Sequence, residues 1–363
     1  VRLPVVLAIA SAAGAGCIGP VTQKATSRVH YYGDEKLSVI SPSIRDEVQI
    51  RKTRVTADYG VDVVSGATQV ITVDAVSSAT SFSEHRHQAG VSVAQALAPE
   101  TEVTAAYTLS AEPDDTVHSP SVTATQEIMG RMVRLSARYQ LQAESIGRVD
   151  DTSFSEHALG HRLDLGWTQI ATKSLTVTGL VTATAYDCDQ GLGCFANPYR
   201  YVGVMQPGAG FIALIERHPD SRFTAAGALR VAWAFSNVGA IHAGYRWAGD
   251  SWAISAHTFD AALATELRER LLVRAEARAT VQGEASFYQA RYSTDSGVVP
   301  SYRTADAELS AMWNFKSQLH VEWAMKPIRF VGEFGRMWNQ YPDFPSLPSR
   351  HAWIGGAGID MDL

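Results

Sequence analysis

Leu271-Leu272-Val273-Arg274-Ala275-Glu276-Ala277-Arg278-Ala279-Thr280-Val281-Gln282 decides the fold. Every second residue is apolar: Leu271, Val273, Ala275, Ala277, Ala279 and Val281. Arg274, Glu276, Arg278, Thr280 and Gln282 occupy the positions between. Period two places these sets on opposite faces of an extended strand. The pattern recurs. Val133, Leu135, Ala137, Tyr139 and Leu141 alternate with Arg134, Ser136, Arg138, Gln140 and Gln142. Val103, Ala105, Tyr107 and Leu109 alternate with Thr104, Thr108 and Ser110, and Leu175, Val177, Gly179, Val181 and Ala183 with Thr176, Thr178, Thr182 and Thr184. Such segments run roughly 10–14 residues, against ~5–6 for strands of soluble proteins, and are long enough for a tilted membrane crossing.

The chain has 363 residues, 46% apolar and 19% charged, with a formal net charge of −6. No basic field invites nucleic acid. Past the N-terminus no apolar run approaches the ~18 residues of a membrane helix; Phe211-Ile212-Ala213-Leu214-Ile215 is far too short. A membrane protein of this sequence must therefore be a closed barrel, since closure satisfies every backbone polar group in lipid. A secreted soluble β-sandwich also alternates and is the competing fold. Two features favour the barrel. Nearly every segment alternates, and Trp167, Trp247, Trp252, Trp313, Trp323 and Trp338 lie towards segment ends, where indoles suit a membrane interface.

Arg2 precedes an apolar stretch from Leu3 to Ala13, then small residues through Cys17, which predicts a signal peptide over 1–16. Ala13-Gly14-Ala15 fits ordinary signal peptidase, whereas Gly14-Ala15-Gly16-Cys17 resembles a lipoprotein box that would make Cys17 the lipidation site; both readings stay open. The other cysteines, Cys188 and Cys194, bracket a Gly-rich loop. Exported loops are oxidised, so these two are expected to pair. A zinc site would need two further ligands. Residues 17–35 form an N-terminal segment with a candidate first strand, and 36–363 the barrel.

Connections alternate between two kinds. Short turns are expected at Ala98-Pro99-Glu100, near Gly130 and at Phe315-Lys316-Ser317. Long polar connections cover about 65–80, 113–120, 147–152, 187–222, 284–301 and 341–349. Barrels place short turns in the periplasm and long loops outside. Trp353, Gly355, Ala357, Ile359, Met361 and Leu363 alternate to the last residue, as in the C-terminal assembly signal of outer-membrane proteins, with Leu363 replacing its final aromatic. Counting back from there, with Ala25–Tyr32 as the first strand, predicts an all-β, antiparallel up-and-down transmembrane barrel of about 16 strands, with ~14 or ~18 as alternatives.

Several blocks carry a resemblance. Asp62-Val63-Val64-Ser65-Gly66-Ala67-Thr68 is followed by Val73-Asp74-Ala75-Val76-Ser77-Ser78-Ala79-Thr80 and Phe82-Ser83-Glu84-His85-Arg86-His87. Further on come Asn197-Pro198-Tyr199-Arg200, His218-Pro219-Asp220-Ser221-Arg222, Tyr245-Arg246-Trp247-Ala248-Gly249-Asp250-Ser251-Trp252 and Ala256-His257-Thr258. Ala285-Ser286-Phe287-Tyr288 and Tyr302-Arg303-Thr304-Ala305-Asp306 close the series. In this order, from about Tyr31 to the end, they resemble a bacterial outer-membrane family designated domain of unknown function 3570. The resemblance implies a barrel and localisation to the outer membrane of a Gram-negative-type bacterium; it brings no activity and no catalytic residues.

The candidate chemistry begins in the lumen. With the apolar faces towards lipid, Arg134, Arg138, Arg162, Asp164, Arg274, Glu276 and Arg278 point inward, either as a salt-bridged plug or as a charged constriction that selects solutes. Ser81-Phe82-Ser83-Glu84-His85 recurs at Ser153-Phe154-Ser155-Glu156-His157; His85 and His87 share a strand face and form a candidate divalent-metal pair. The doubled Val-Asp-x-Val-Ser-x-Ala-Thr offers Asp62, Ser65, Asp74 and Ser77 as oxygen ligands for calcium, although Asp and Ser in such runs more often bond their own turns. No nucleophile elbow, phosphate loop or His-Glu-x-x-His occurs, and no enzyme or resident cofactor is expected. The sequence reads as a porin-like channel for small polar or ionic solutes. The alternative is a scaffold barrel with a plugged lumen that docks a periplasmic partner protein. The partners expected are outer-membrane lipid in either case, small solutes for the channel and a periplasmic protein for the scaffold.

Overall fold

The computed structural model describes residues 21–363 apart from 69–70, 73–74, 77–79, 190–193, 198, 207, 209, 295–297, 299 and 346. The predicted signal peptide, Cys17, Asp74 and Ser77 lie outside these residues. The chain is almost entirely strand: β1 Val21–Gly33, β2 Leu37–Ile50, β3 Thr53–Thr68, β4 Ile71–Thr72, β5 Ala75–Val76, β6 Thr80–Ala98, β7 Thr101–Ala111 and β8 Asp115–Ile128. There follow β9 Val133–Gly147, β10 Ser155–Thr172, β11 Leu175–Cys188, β12 Tyr201–Gln206, β13 Gly210–Ile215, β14 Ser221–Ala234 and β15 Gly239–Asp250. The last are β16 Ser255–Arg268, β17 Leu271–Gln282, β18 Tyr292–Ser293, β19 Met312–Met325, β20 Ile328–Gln340 and β21 Ser349–Asp362.

Sixteen of these strands close a barrel in the order β1-β2-β3-β6-β7-β8-β9-β10-β11-β14-β15-β16-β17-β19-β20-β21. Each pairs antiparallel with its neighbour in sequence. The seam is β1 against β21, from Lys24↔Asp362 to Gly33↔Trp353. With the seam paired, no barrel edge is left to face lipid.

The alternation read from the sequence is the in–out alternation of the wall. Leu135 and Tyr139 on β9, Leu159, Leu163 and Leu165 on β10, and Phe259 and Leu263 on β16 are exposed on the outside. The residues between them face inward and meet one another across the lumen wall, as when Thr182 Oγ1 donates to Asp164 at 2.7 Å. A surface of exposed large apolar groups around a polar interior is stable only in lipid. The protein is thus a transmembrane barrel of the outer-membrane type. Among the described residues no helix is long and apolar enough to cross a membrane.

Connections at one end are short, such as 51–52, 99–100, 173–174, 269–270 and 326–327. This is the periplasmic end. The opposite end carries the long loops 189–220 and 283–311. Three expectations need correction. Phe315-Lys316-Ser317 is no turn: it lies inside β19, paired with Trp338, Met337 and Arg336. The residue pattern there, aromatic then Lys then Ser, is ordinary out–in–out alternation beside an exposed Trp313. The connection expected at 113–120 shrinks to 112–114, because β8 starts at Asp115. Trp252 sits at no interface; it is buried among loops, 3% exposed.

A test of the in–out assignment contrasts two arginine substitutions. Leu163→Arg, at mid-wall on the outside, is expected to destabilise the folded barrel by about 2–4 kcal/mol. Thr178→Arg, on the inner face, is expected to cost far less. Urea unfolding in lipid vesicles measures both.

Candidate functional site

The inner wall comes first. In register across adjacent strands lie Thr178 on β11, Arg230 on β14, Gly244 on β15, Asp260 on β16, Arg278 on β17 and Lys316 on β19. Glycine at 244 makes room for the one carboxylate of this row, since a Cβ there would lie 2.7 Å from Asp260 Oδ1. One step away on the same face, Arg274 pairs with Glu276 at 3.1 Å. Together they border a cavity of about 330 Å³ lined by Arg230, His242, Asp260, Arg274, Glu276 and Arg278. The row sets three cations against one carboxylate, and Arg278 Nε is buried without a hydrogen-bond partner.

Six of the seven lumen residues expected from the sequence fall into two groups on separate parts of the wall. Arg274, Glu276 and Arg278 belong to the row just described. Arg138, Arg162 and Asp164 form a second set on β9 and β10. There Arg162 holds Asp164 at 2.9 Å and Arg138 donates to Gln140 at 2.7 Å. Arg134 lies at the periplasmic end of β9. Arg230, Asp260 and Lys316 escaped the sequence reading. Strand-to-strand register reveals them, and register depends on turn lengths that periodicity does not report.

The outer mouth holds the more elaborate construction. Loop 189–220 folds as the hairpin β12–β13, and β12 pairs in parallel with β18 from loop 283–311. Arg217 and Arg303 add a further bridge between the two loops. Cys188 and Cys194 form a disulfide with Cα atoms 5.7 Å apart. The next residue, Phe195, meets Trp252 edge-on at 5.1 Å between centroids. Trp252, Ile254, Ala285, Tyr288 and Leu309 form one apolar cluster; Val202, Val204 and Tyr292 form another. Tyr199 extends the cap sideways, its hydroxyl donating to Asp114 at 2.8 Å.

At the centre of this cap Glu216 is fully buried. It accepts from the Thr304 hydroxyl and from the Ala305 N–H at 2.9 Å. Arg200 reaches its other oxygen at 3.5 Å and Asp306 at 3.0 Å. His218 Nε2 lies 3.3 Å from Glu216 Oε1 but out of line for a hydrogen bond, so both ring nitrogens lack one. Burial pushes the Glu216 carboxyl up. His218, Arg200 and Thr304 outweigh it and hold the carboxyl below its ordinary range. Glu308 goes the other way, raised by burial and by Asp306.

Beneath the cap is a cavity of about 650 Å³, lined by His218, Trp252, Asp306 and Glu308 from the loops. The strand residues that face it, among them Tyr32, Arg222, Gln282, Met312, Asn339 and Arg350, all sit at the outer ends of their strands. Arg222 is held by Asp250 and lies 4.3 Å over the Trp252 ring, and Arg350 is paired with Asp34. The sequence signal for this assembly was the ordered series of blocks. Asn197–Arg200, His218–Arg222, the Trp252 block, Ala285–Tyr288 and Tyr302–Asp306 are far apart in the chain and meet here.

Of the metal candidates, Asp62 and His87 have other partners. Asp62 is held by Arg86. His85 and His87 share the outward face of β6, and His87 Nδ1 is 2.8 Å from the Tyr59 hydroxyl. The same pair recurs at Tyr107–His118 (2.6 Å), Tyr139–His161 (2.6 Å) and Tyr245–His257 (2.8 Å). In each, the histidine stands opposite the residue two beyond the tyrosine: Val61, Leu109, Leu141 and Trp247. Rings with an apolar body and a polar edge suit the membrane interface. Among the described residues the grouping with metal-like spacing is Glu84, Glu112 and Asp114.

Residues 108–334 match the family described as "Protein of unknown function (DUF3570)". No curated protein matches the chain. Among solved structures it is similar to the siderophore receptor PirA from Pseudomonas aeruginosa, at 8% identity and a TM-score of 0.48, covering 88% of this chain and 56% of that one. It is also similar to the outer membrane protein opdK from Pseudomonas aeruginosa, at 7% identity and a TM-score of 0.46, covering 95% and 99%. A third is the ferric enterobactin receptor PfeA, at 11% identity and a TM-score of 0.47, covering 89% and 55%. The chain spans about half the length of the two receptors.

Removing the buried carboxylate tests the cap. Glu216→Ala leaves Arg200 and His218 facing an empty site. The expected cost to the cap is about 2–3 kcal/mol, below the ~3–5 of a wholly buried pair because Arg200 keeps contact with water. Trypsin should then cut loop 189–220 in intact outer membranes while the barrel survives. The pH dependence follows from the lowered carboxyl. Its stabilisation is fully present above the ordinary carboxylate range near ~4, and is lost progressively as pH falls from there through the lower folded value. The part of the near-ultraviolet circular dichroism that Trp252→Phe removes should track this loss.

Proposed function

This chain belongs to the family described as "Protein of unknown function (DUF3570)", and we propose that it is an outer-membrane channel for small polar or ionic solutes that prefers anions. One observation carries the reading. The strand residues that face the capped cavity lie at the outer strand ends, so among the described residues the loops enter only the mouth. Below them the wall of a sixteen-stranded barrel surrounds a width that side chains do not fill. The row of Arg230, Arg278 and Lys316 around Asp260 supplies the charge, and a cation-rich stretch of wall along an aqueous lumen favours anions. The disulfide and the Glu216 network support the cap as a fixed sieve over the pore, with loops 189–220 and 283–311 restricting access by size.

The cap also favours a second reading, the scaffold barrel with a plugged lumen and a periplasmic partner protein. The two differ in planar bilayers. A channel shows discrete conductance steps, and a potassium chloride gradient sets a reversal potential on the anion side. Arg278→Gln combined with Lys316→Gln is expected to move that potential towards the cation side. Silent bilayers under every condition, with a protein co-purifying, would favour the scaffold.

A further inference from the structure

The outward face of β20 and β21 carries a group that a lipid-facing wall should exclude. On β20 the outward residues are Phe330, Phe334, Arg336 and Trp338, with Phe334 61% exposed. On β21 they are His351, Trp353 and Ile359. Register sets Arg336 against Trp353 and Trp338 against His351. The four form a two-by-two patch: a cation and an imidazole on one diagonal, two indoles on the other. The Arg336 guanidinium lies 5.3 Å from the Trp338 ring centroid and 4.8 Å from that of Trp353. Its third neighbour is Ser317 on β19.

Among the Lys and Arg residues on the outward face of the described barrel strands, Arg268 closes β16 at the periplasmic end opposite Leu271, whereas Arg336 stands inside its strand. It has no ion pair, and its Nε is buried without a hydrogen-bond partner. Across the patch, His351 Nδ1 is likewise buried and unpartnered. A charged group facing lipid carries a free-energy cost that falls towards the interface. Two indoles lower that cost by cation–π contact, but they bring no counter-charge. Arg336 lies on the outer half of the wall, one outward step below Trp338 and close to the long-loop end of β20. The facing leaflet holds lipid headgroups, so the available counter-charge is a lipid phosphate. A planar guanidinium binds phosphate through two parallel N–H donors, and the indoles leave its outer edge free to do so.

We infer that Arg336, with His351, Trp338 and Trp353, forms a docking site on the outer wall for the phosphate of an outer-leaflet glycolipid. The site is separate from the lumen and does not depend on conduction.

The test uses the folded protein in detergent micelles, with folding checked by heat-modifiable migration. Native mass spectrometry follows binding of phosphorylated lipid A and of the same lipid stripped of its phosphates. Wild type is expected to bind the phosphorylated form about ten-fold more tightly, a difference typical of one charge-assisted contact. Arg336→Gln should erase that difference. Arg336→Lys should keep part of it, since the charge remains and the planar fork is lost; this variant carries the test if Arg336→Gln does not fold. Equal binding of the two lipid forms by wild type, or an unchanged preference in Arg336→Gln, overturns the inference. Phosphatidylglycerol binding as tightly as lipid A overturns the assignment to a glycolipid.

Discussion

The structure depends on one seam. Ten residues of β1 pair with ten of β21, from Lys24↔Asp362 to Gly33↔Trp353, and Leu363 exchanges backbone hydrogen bonds with Gln23. In lipid an unpaired strand edge has no water to satisfy it. Without this pairing every other strand would belong to an open sheet with two exposed edges. With it, the wall is continuous and the two faces of each strand meet two solvents. The lumen charges, the outward aromatic rings and the loop cap then follow as decorations of an inner face, an outer face and a rim.

The two faces differ in what they tolerate. Inside, charges meet in pairs and rows, as in Arg162–Asp164 and the Arg230–Asp260–Arg278–Lys316 register. Water in a wide lumen screens them, and their arrangement sets selectivity rather than stability. Outside, large apolar side chains dominate the wall and polar rings recur in one arrangement. The four Tyr–His pairs repeat one diagonal and present amphipathic rings to the interface. Arg336 is the exception that has indoles around it and no anion. At the rim, water, loops and wall compete, and the outcome is a small folded unit with a buried carboxylate at its centre.

The wall was legible in the sequence because its physics is local. A residue and its neighbour two along share a face, so Arg134, Arg138, Arg274 and Arg278 could be assigned inward without knowing any strand's partner. Ala25–Tyr32 was assigned as the first strand on a different ground, since a closed barrel with both ends in the periplasm needs an even count. What needed a partner was not legible. Lys316 was misplaced in a turn because one strand's alternation beside aromatic residues looks like an interruption. Arg230 and Asp260 fell into a row through register alone. The cap was hidden altogether, since Thr304 and Glu216 are 88 residues apart and nothing periodic links them. Its one trace was the ordered series of short blocks, which marked the right residues without saying that they touch.

The most direct test of this account is a cross-link at the seam. Val29 and Ala357 stand opposite each other on the outward face of β1 and β21. With Val29→Cys and Ala357→Cys introduced together, the account expects a disulfide in outer-membrane fractions, seen as a circularised chain whose denatured form migrates faster until reduced. Folded, heat-modifiable protein that never forms this cross-link would contradict closure through β1 and β21.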